Sequence, residues 1–210
     1  METMKRKVAG VTCCFILLMP ATTITTDPEV LSNAFAASYT AEASADYAGA
    51  IKSLTSVCDG GTYECDLRLG WLYYNSKDYI KSMDYYSKAM ADKPYSIEAK
   101  FGYVQPASAL LKWDDVLTTY QSILKIDPQN TKANYYVGDI YYNRKDYKSA
   151  EEYLLKVVNL YPFDYDSSVL LAWTYLQEGN STDAKILFQN CLLMKPKDES
   201  ACAGMKKING

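Results

Sequence analysis

Four prolines divide much of this chain into segments of equal length. They lie at Pro94, Pro128, Pro162 and Pro196, so that each is 34 residues from the next. A proline disfavours helical geometry in the residue before it, and a fixed period of this length is typical of arrays built from one repeated supersecondary unit. We therefore expect a row of similar units rather than a single layered domain.

The same period aligns small and aromatic residues. Within the first segment, apolar positions at helical spacing run through two stretches, Tyr63 to Asn75 and Tyr79 to Asp92. Each segment is predicted to be a helical hairpin in which small residues allow close approach and aromatic residues fill the space between helices. The aligned columns are Gly70, Val104, Gly138, Ala172; Tyr73, Ala107, Tyr141, Tyr175; Ser82, Val116, Ala150, Ala184; Tyr86, Tyr120, Leu154, Phe188; and Ala89, Ile123, Val157, Cys191.

This order of small, aromatic and proline positions resembles the tetratricopeptide repeat, and the match extends almost throughout Tyr63 to Asp198. The resemblance implies an all-α fold, a right-handed α-solenoid of stacked helix-turn-helix hairpins. We predict four repeats within residues 63–198, at 63–96, 97–130, 131–164 and 165–198. An N-terminal capping helix is expected within residues 37–62, from about Asp46 to Val57, and a C-terminal capping helix within residues 199–210.

The N-terminus has the charge order of a secretory signal. Lys5, Arg6 and Lys7 precede an apolar run from Val8 to Met19, which is shorter than the roughly 20 residues of a membrane span. We expect residues 1–36 to be a signal peptide and leader cleaved after Ala36, with a membrane anchor or a buried helix as the alternative. The mature chain would then lack an integral membrane span and reside in the periplasm or cell envelope, or be secreted.

Four cysteines would remain after such cleavage, and an even number in an exported chain is typical of disulfides. Each pair joins the end of one helix to the start of the next, at opposite ends of the array. We predict the disulfides Cys58–Cys65 and Cys191–Cys202, each fastening a terminal cap. The alternative is that Cys191 fills its apolar column as a free thiol and that Cys202 is incidental.

In tetratricopeptide arrays the first helix of each hairpin lines the concave face, so the resemblance implies a ligand groove along those helices. Here the corresponding stripe is rich in aromatic residues, which are frequent in binding hot spots, although some of them could instead pack between helices. The predicted groove residues are Leu67, Trp71, Tyr74, Asn75, Phe101, Gln105, Ser108, Tyr135, Asp139, Tyr142, Asn143, Val169, Trp173 and Leu176.

Two details of the groove have alternative interpretations. Asn75 and Asn143 could hold a peptide backbone through their amides, or they could close their helices in the left-handed conformation. Pro106 falls inside a predicted helix and could kink it and widen the groove beside Gln105, or it could be an irregularity that Gly102 and Ala107 accommodate.

Composition argues against most other functions. The formal charge is −3, the isoelectric point is about 5.1, and histidine is absent. We therefore predict no nucleic-acid partner, no metal, no cofactor and no enzymatic activity, since Asp139 and Asp166 have no evident paired partner for acid and base catalysis. The predicted function is an exported scaffold that binds a protein or peptide for assembly or recruitment. The alternative is a glycan-binding module, in which Trp71, Tyr74, Tyr135 and Trp173 stack on sugar rings.

Overall fold

The computed structural model describes residues 27–58 and 61–210, and within them the protein forms eleven α-helices and no strands. The predicted all-helical solenoid of hairpins is confirmed. The first helices of the four central hairpins are α3 (Tyr63–Asn75), α5 (Ile97–Ala109), α7 (Thr131–Asn143) and α9 (Tyr165–Gln177). Their partners are α4 (Tyr79–Asp92), α6 (Trp113–Ile126), α8 (Tyr147–Leu160) and α10 (Ser181–Met194). Flanking them are α1 (Pro28–Ala43), α2 (Tyr47–Thr55) and α11 (Glu199–Asn209).

Short polar side chains set where nearly every helix begins. Ten of the eleven helices have a side chain just before their first residue that accepts a hydrogen bond from a backbone amide of the first turn, which satisfies a donor that the helix cannot pair internally. The exception is α6, which follows Lys112 and has no such cap. The capping residues are Asp27, Asp46, Thr62, Asp78, Ser96, Asn130, Asp146, Asp164, Asn180 and Asp198.

The turn inside each central hairpin repeats with the same period. Lys77, Leu111, Lys145 and Gly179 are spaced by 34 residues, and all have positive φ, between 58° and 84°. This left-handed conformation reverses the chain directly after the first helix, and it is the geometry that glycine adopts without strain. Only the fourth hairpin uses glycine at this position, so the other three turns are held by the packing of their helices.

Large side chains of the second helices fill spaces that glycines leave open on neighbouring helices. A Cβ atom added at Gly102 would lie 2.1 Å from the Tyr86 ring, and one added at Gly204 would lie 2.2 Å from the Phe188 ring. Tyr86 and Phe188 are accordingly 4% and 0% exposed. The predicted aromatic column therefore forms contacts between successive helices. Glycine lies where the Tyr86 and Phe188 rings meet the next helix, whereas the Tyr120 ring stacks on the ring of Tyr136 instead.

Helix α5 runs without interruption through Pro106, which is fully buried. The break that this proline could have introduced is not observed. The space above Gly102 is filled by the Tyr86 ring, so that glycine serves helix packing rather than relief of the proline.

The N-terminal cap differs from its prediction. We expected one helix beginning near Asp46, whereas the structure has two, because α1 extends from Pro28 to Ala43 and packs against α2 through Ala34 and Phe35. The expected boundary after Ala36 therefore falls inside α1. The charged and apolar stretches of the predicted signal peptide, within residues 1–26, lie outside the described residues. Among the helices of the described part of the chain, none has the length and hydropathy needed to cross a membrane.

Candidate functional site: a groove from α1 to α7

The first half of the concave face contains an open cavity of about 530 Å³. Its walls come from α1, α3 and α5, and Tyr86 of α4 contributes to them. Most of the lining is aromatic or aliphatic, while three charged groups stand among it. The lining residues are Phe35, Tyr39, Tyr63, Glu64, Leu67, Arg68, Trp71, Tyr86, Glu98, Phe101, Gly102 and Gln105.

A second cavity of about 470 Å³ lies further along the same face, between α5, α6 and α7. Gln105 borders both cavities, so together they form one groove that begins at α1 and ends at α7. Ser108 and Ala109 of α5 leave room here, where the matching positions of α3 hold the larger Tyr74 and Asn75. The groove opens at this point because the second hairpin carries smaller side chains. The second cavity is lined by Tyr74, Val104, Gln105, Ser108, Ala109, Trp113, Val116, Tyr120, Lys132, Tyr136, Asp139 and Ile140.

Trp71 is the largest exposed side chain predicted for the groove, with 42% of its surface open to solvent. Its indole nitrogen donates a hydrogen bond of 2.5 Å to a carboxylate oxygen of Glu42 on α1. The Tyr74 ring lies 6.4 Å from it, centre to centre. An indole that is held at its polar end and open at its face offers a rigid apolar surface, which suits binding of a partner.

A partly buried ion pair supports this wall of the groove. Arg68 is 9% exposed, contacts Glu42 at 2.6 Å, donates to Ser38 Oγ at 3.2 Å and lies 4.0 Å from the centre of the Tyr39 ring. Burial by itself raises the pKa of the Glu42 carboxyl, but hydrogen bonds from Trp71 and Arg68 and the charge of Arg68 outweigh burial and lower that pKa below its ordinary value. The sequence prediction missed Phe35 and Tyr39, because α1 was not expected. It missed Arg68 of α3 because the partners of that side chain lie on α1. An indication was present in the order of Asp27 and Pro28, which is typical of a helix start.

Asp139 is a half-buried carboxylate on the wall of the second cavity. Its partner is Asn143 of the same helix, whose amide donates to Asp139 Oδ1 at 3.0 Å and to the Asp139 carbonyl at 2.8 Å. Burial raises the pKa of the Asp139 carboxyl, and the Asn143 hydrogen bond lowers it only in part. The carboxylate is thus partly desolvated and forms no ion pair with any of the described residues.

Asn75 and Asn143 do not close their helices in the left-handed conformation, which was one of the two alternatives for them. Asn75 is helical and donates to the Trp71 carbonyl at 2.8 Å, as Asn143 donates to Asp139. The left-handed residues are Lys77 and Lys145, two positions later. The interpretation of Asn75 and Asn143 as left-handed caps is therefore wrong, because the helix continues through both residues and the chain reverses only afterwards.

The second half of the predicted groove is occupied by helix packing. The Trp173 indole donates to Ser200 Oγ of α11 at 2.8 Å and meets the edge of the Phe188 ring at 5.2 Å. Burial, with the nearby charge of Asp139, raises the pKa of the Tyr135 hydroxyl to about 12. Five predicted groove residues therefore contribute to contacts among α7, α8, α9, α10 and α11 and line neither cavity described above. They are Tyr135, Tyr142, Val169, Trp173 and Leu176.

One of the two predicted disulfides is present. Cys58, which follows α2, is bonded to Cys65 in α3, with Cα atoms 6.0 Å apart. The predicted bond Cys191–Cys202 is wrong, since both of these thiols are free. On α11 it is Ala201 that faces the core, and Cys202, one position later, turns about 100° around the helix toward solvent. Within the described residues no group of side chains is arranged to hold a metal ion.

Comparison with known proteins finds one repeat family and many related folds. A tetratricopeptide-repeat model matches residues 67–91, 131–164 and 165–198. The crystal structure of MamA protein superimposes with a TM-score of 0.71 at 18% identity, covering 80% of this chain and 93% of that one. A tetratricopeptide repeat protein from Parabacteroides merdae superimposes with a TM-score of 0.74 at 17% identity, covering 86% of this chain and 72% of that one.

A third similar structure is YrrB, described as a TPR protein with an unusual peptide-binding site. It superimposes with a TM-score of 0.69 at 15% identity, covering 84% of this chain and 90% of YrrB. No curated protein sequence matches the chain. At these identities the structural similarity establishes the helical array and does not identify a ligand.

Proposed function

The chain is a tetratricopeptide-repeat protein, and on that premise we propose that it is a non-catalytic scaffold that binds a segment of a partner protein in the groove from α1 to α7. The observation that carries the proposal is the pair of cavities joined at Gln105. They are open, and aromatic side chains contribute to the lining of both, of which Trp71 and Trp113 remain 42% and 47% exposed. Such surfaces are typical of interaction sites. YrrB, which has a similar fold, is described as having a peptide-binding site, and this supports a peptide ligand here.

The test places a photoreactive benzoylphenylalanine at Gln105 in cells that make the protein. We expect a defined cross-linked partner, since Gln105 is exposed and borders both cavities. The matched control carries the same group at Tyr95, which is 83% exposed and lines neither cavity described here. Equal cross-linking of one partner from both positions would contradict a groove-specific site.

Replacing Trp71 by alanine is expected to weaken binding of that partner by about thirtyfold or more, the effect of losing an aromatic hot spot of 2 kcal/mol. Because Trp71 also bonds Glu42, its loss could loosen α1. Gln105→Lys therefore serves as a second variant that alters the groove and leaves this hydrogen bond intact. Binding by isothermal calorimetry and stability by thermal unfolding separate the two effects. Unchanged affinity in both variants would contradict the proposal.

A glycan ligand is the second candidate, and the structure reduces its support. Of the four aromatics considered for sugar stacking, Trp173 is engaged with Ser200 and Phe188, and Tyr135 is packed among helices. Trp71 and Tyr74 remain open to the groove. Titration with cell-wall oligosaccharides, followed by Trp71 fluorescence, separates this function from peptide binding.

We also propose export, supported by the basic and apolar order of the N-terminus and by the disulfide Cys58–Cys65, since disulfides persist in oxidising compartments. The helix α1 changes the expected cleavage site. A cut after Ala36 would remove more than half of α1, including Ala34 and Phe35, which pack against α2. N-terminal sequencing of the exported protein is therefore expected to find a start at or before Asp27. A mature N-terminus at Ala37 would contradict this prediction.

A further inference from the structure

The second cavity surrounds its carboxylate with aromatic rings. Asp139 shares the lining with Tyr74, Trp113 and Tyr136, and the last two are 47% and 38% exposed. These rings come from three different helices, α3, α6 and α7, so the cavity exists only in the assembled array. Aromatic faces carry a negative potential that attracts cations, and a carboxylate among them adds to it.

Within residues 27–58 and 61–210, Asp139 has no ion-pair partner, although it is half-buried. Its carboxylate is half-buried and accepts one side-chain hydrogen bond, from the neutral amide of Asn143. None of the ion pairs in the described part of the chain includes it. A carboxylate that has lost part of its hydration and gained no cation costs stability, and this cost is recovered when a ligand supplies the positive charge.

One cation of the protein also borders the cavity. Lys132 places its ammonium nitrogen 4.7 Å from the centre of the Phe101 ring, toward the first cavity, and forms no ion pair with Asp139. Lys132 therefore does not neutralise Asp139. Because like charges repel, a second cation would have to reach Asp139 from the side of Trp113 and Tyr136.

We propose that the second cavity holds a lysine or arginine side chain of the partner segment, with its charge beside Asp139 and its stem against Trp113 and Tyr136. This inference rests on the proposed function and specifies the chemistry of the partner. A basic side chain fits both parts of the lining, since its aliphatic stem packs on rings while its head pairs with a carboxylate. The remainder of the segment crosses Gln105 into the first cavity, where Trp71 and Leu67 accept apolar groups.

The experiment uses pools of acetylated and amidated heptapeptides that share one fixed central residue, lysine, arginine, glutamine or glutamate, with all other positions mixed. Binding to the full mature chain is followed by the indole N–H resonances of its three tryptophans, assigned by single Trp→Phe variants. We expect the lysine and arginine pools to shift the Trp113 resonance at concentrations about tenfold lower than the glutamine pool, as a cation–π contact and an ion pair together imply.

Asp139→Asn is the decisive variant, because asparagine keeps the shape and the acceptor for Asn143 and removes the charge. It is expected to abolish the tenfold preference without lowering the thermal stability. Asp166→Asn, on α9 and outside the cavity lining, is the matched control and is expected to keep the preference. Lys132→Met is expected to strengthen binding of the lysine pool by about threefold, because a like charge is removed.

The outcomes separate this inference from the proposed function. Two outcomes would overturn the cation site and leave the groove as a binding site. In the first, all four pools shift the Trp71 and Trp113 resonances equally. In the second, the preference for lysine survives Asp139→Asn. Preference for the glutamate pool, lost in Lys132→Met, would assign the cavity to an anion instead. Failure of every pool to shift either tryptophan, together with unchanged partner binding by Trp71→Ala, would overturn the groove itself.

Discussion

Replacing Phe188 by alanine is expected to destabilise the C-terminal end of the array by about 3 to 5 kcal/mol, the range for removing a buried aromatic ring. Phe188 is 0% exposed, and its ring fills the space that Gly204 leaves on α11 while it meets the edge of Trp173. Loss of the ring removes the contact on which α11 docks. In a repeat array the terminal unit then unfolds before its neighbours, because each unit is held only by those next to it.

Urea unfolding followed by tryptophan fluorescence measures this loss, with a Trp71→Phe, Trp113→Phe background so that Trp173 reports alone. We expect its transition to move to lower urea and its emission to shift to the red as α11 detaches. Ile186→Ala is the control on the same helix, because Ile186 is 51% exposed and should change stability by less than about 0.5 kcal/mol. A Phe188→Ala loss no larger than that of the control would refute the docking of α11 on this ring.

Replacing both Cys58 and Cys65 by alanine is expected to cost about 2.5 kcal/mol, the chain-entropy value for a loop of about eight residues. The bond joins the end of α2 to α3, so its loss leaves the hairpin of α1 and α2 held to the array by side-chain contacts alone, such as the Arg68–Glu42 ion pair. The wall of the first cavity formed by Phe35 and Tyr39 would then open more often. Hydrogen exchange should therefore rise in α1 and α2 and stay unchanged in α8 and α9.

Cys202→Ala is the control for that experiment, since its thiol is free and exposed and its loss should leave stability unchanged. Alkylation of the native, unreduced protein provides an independent check. We expect Cys202 to react alone among the described cysteines, because burial raises the pKa of the Cys191 thiol to about 11 and keeps it protonated. Rapid labelling of Cys58 and Cys65 would mean that the disulfide is not formed.

The groove was predicted in part, and the two tryptophans show why. Trp71 and Trp173 occupy the same place in their repeats, 102 residues or three periods apart, and the sequence treats them alike. In the structure Trp71 is held at its polar end by Glu42 and stays 42% exposed, whereas Trp173 is partly buried against Phe188 and bonded to Ser200 of α11. The two tryptophans differ in the helix that each one contacts, which is α1 for Trp71 and α11 for Trp173. A periodic pattern within a repeat does not predict that contact.

The cysteines show the same division. Both predicted pairs connect a second-type helix to the start of the next helix, and their spacing in the sequence made them look equivalent. Cys65 is buried on α3, within reach of Cys58, while Cys202 lies one position away from the buried face of α11. A shift of one residue turns a helical side chain by about 100°, which decides whether a bond can form.

The sequence by itself determined the period, the hairpins and the bounds of helices such as α3 and α4, because prolines, caps and apolar spacing act within about one turn or one hairpin. Only the tertiary structure decided where the groove ends, which disulfide forms and that Asp139 has no ion-pair partner among the described residues. These properties depend on side chains that separate helices bring together, as α1 brings Glu42 to Trp71 and α6 brings Trp113 to the cavity of Asp139. Contacts of that kind depend on how the hairpins stack. A repeat pattern predicts that the hairpins stack, but it does not predict which side chains come into contact between them.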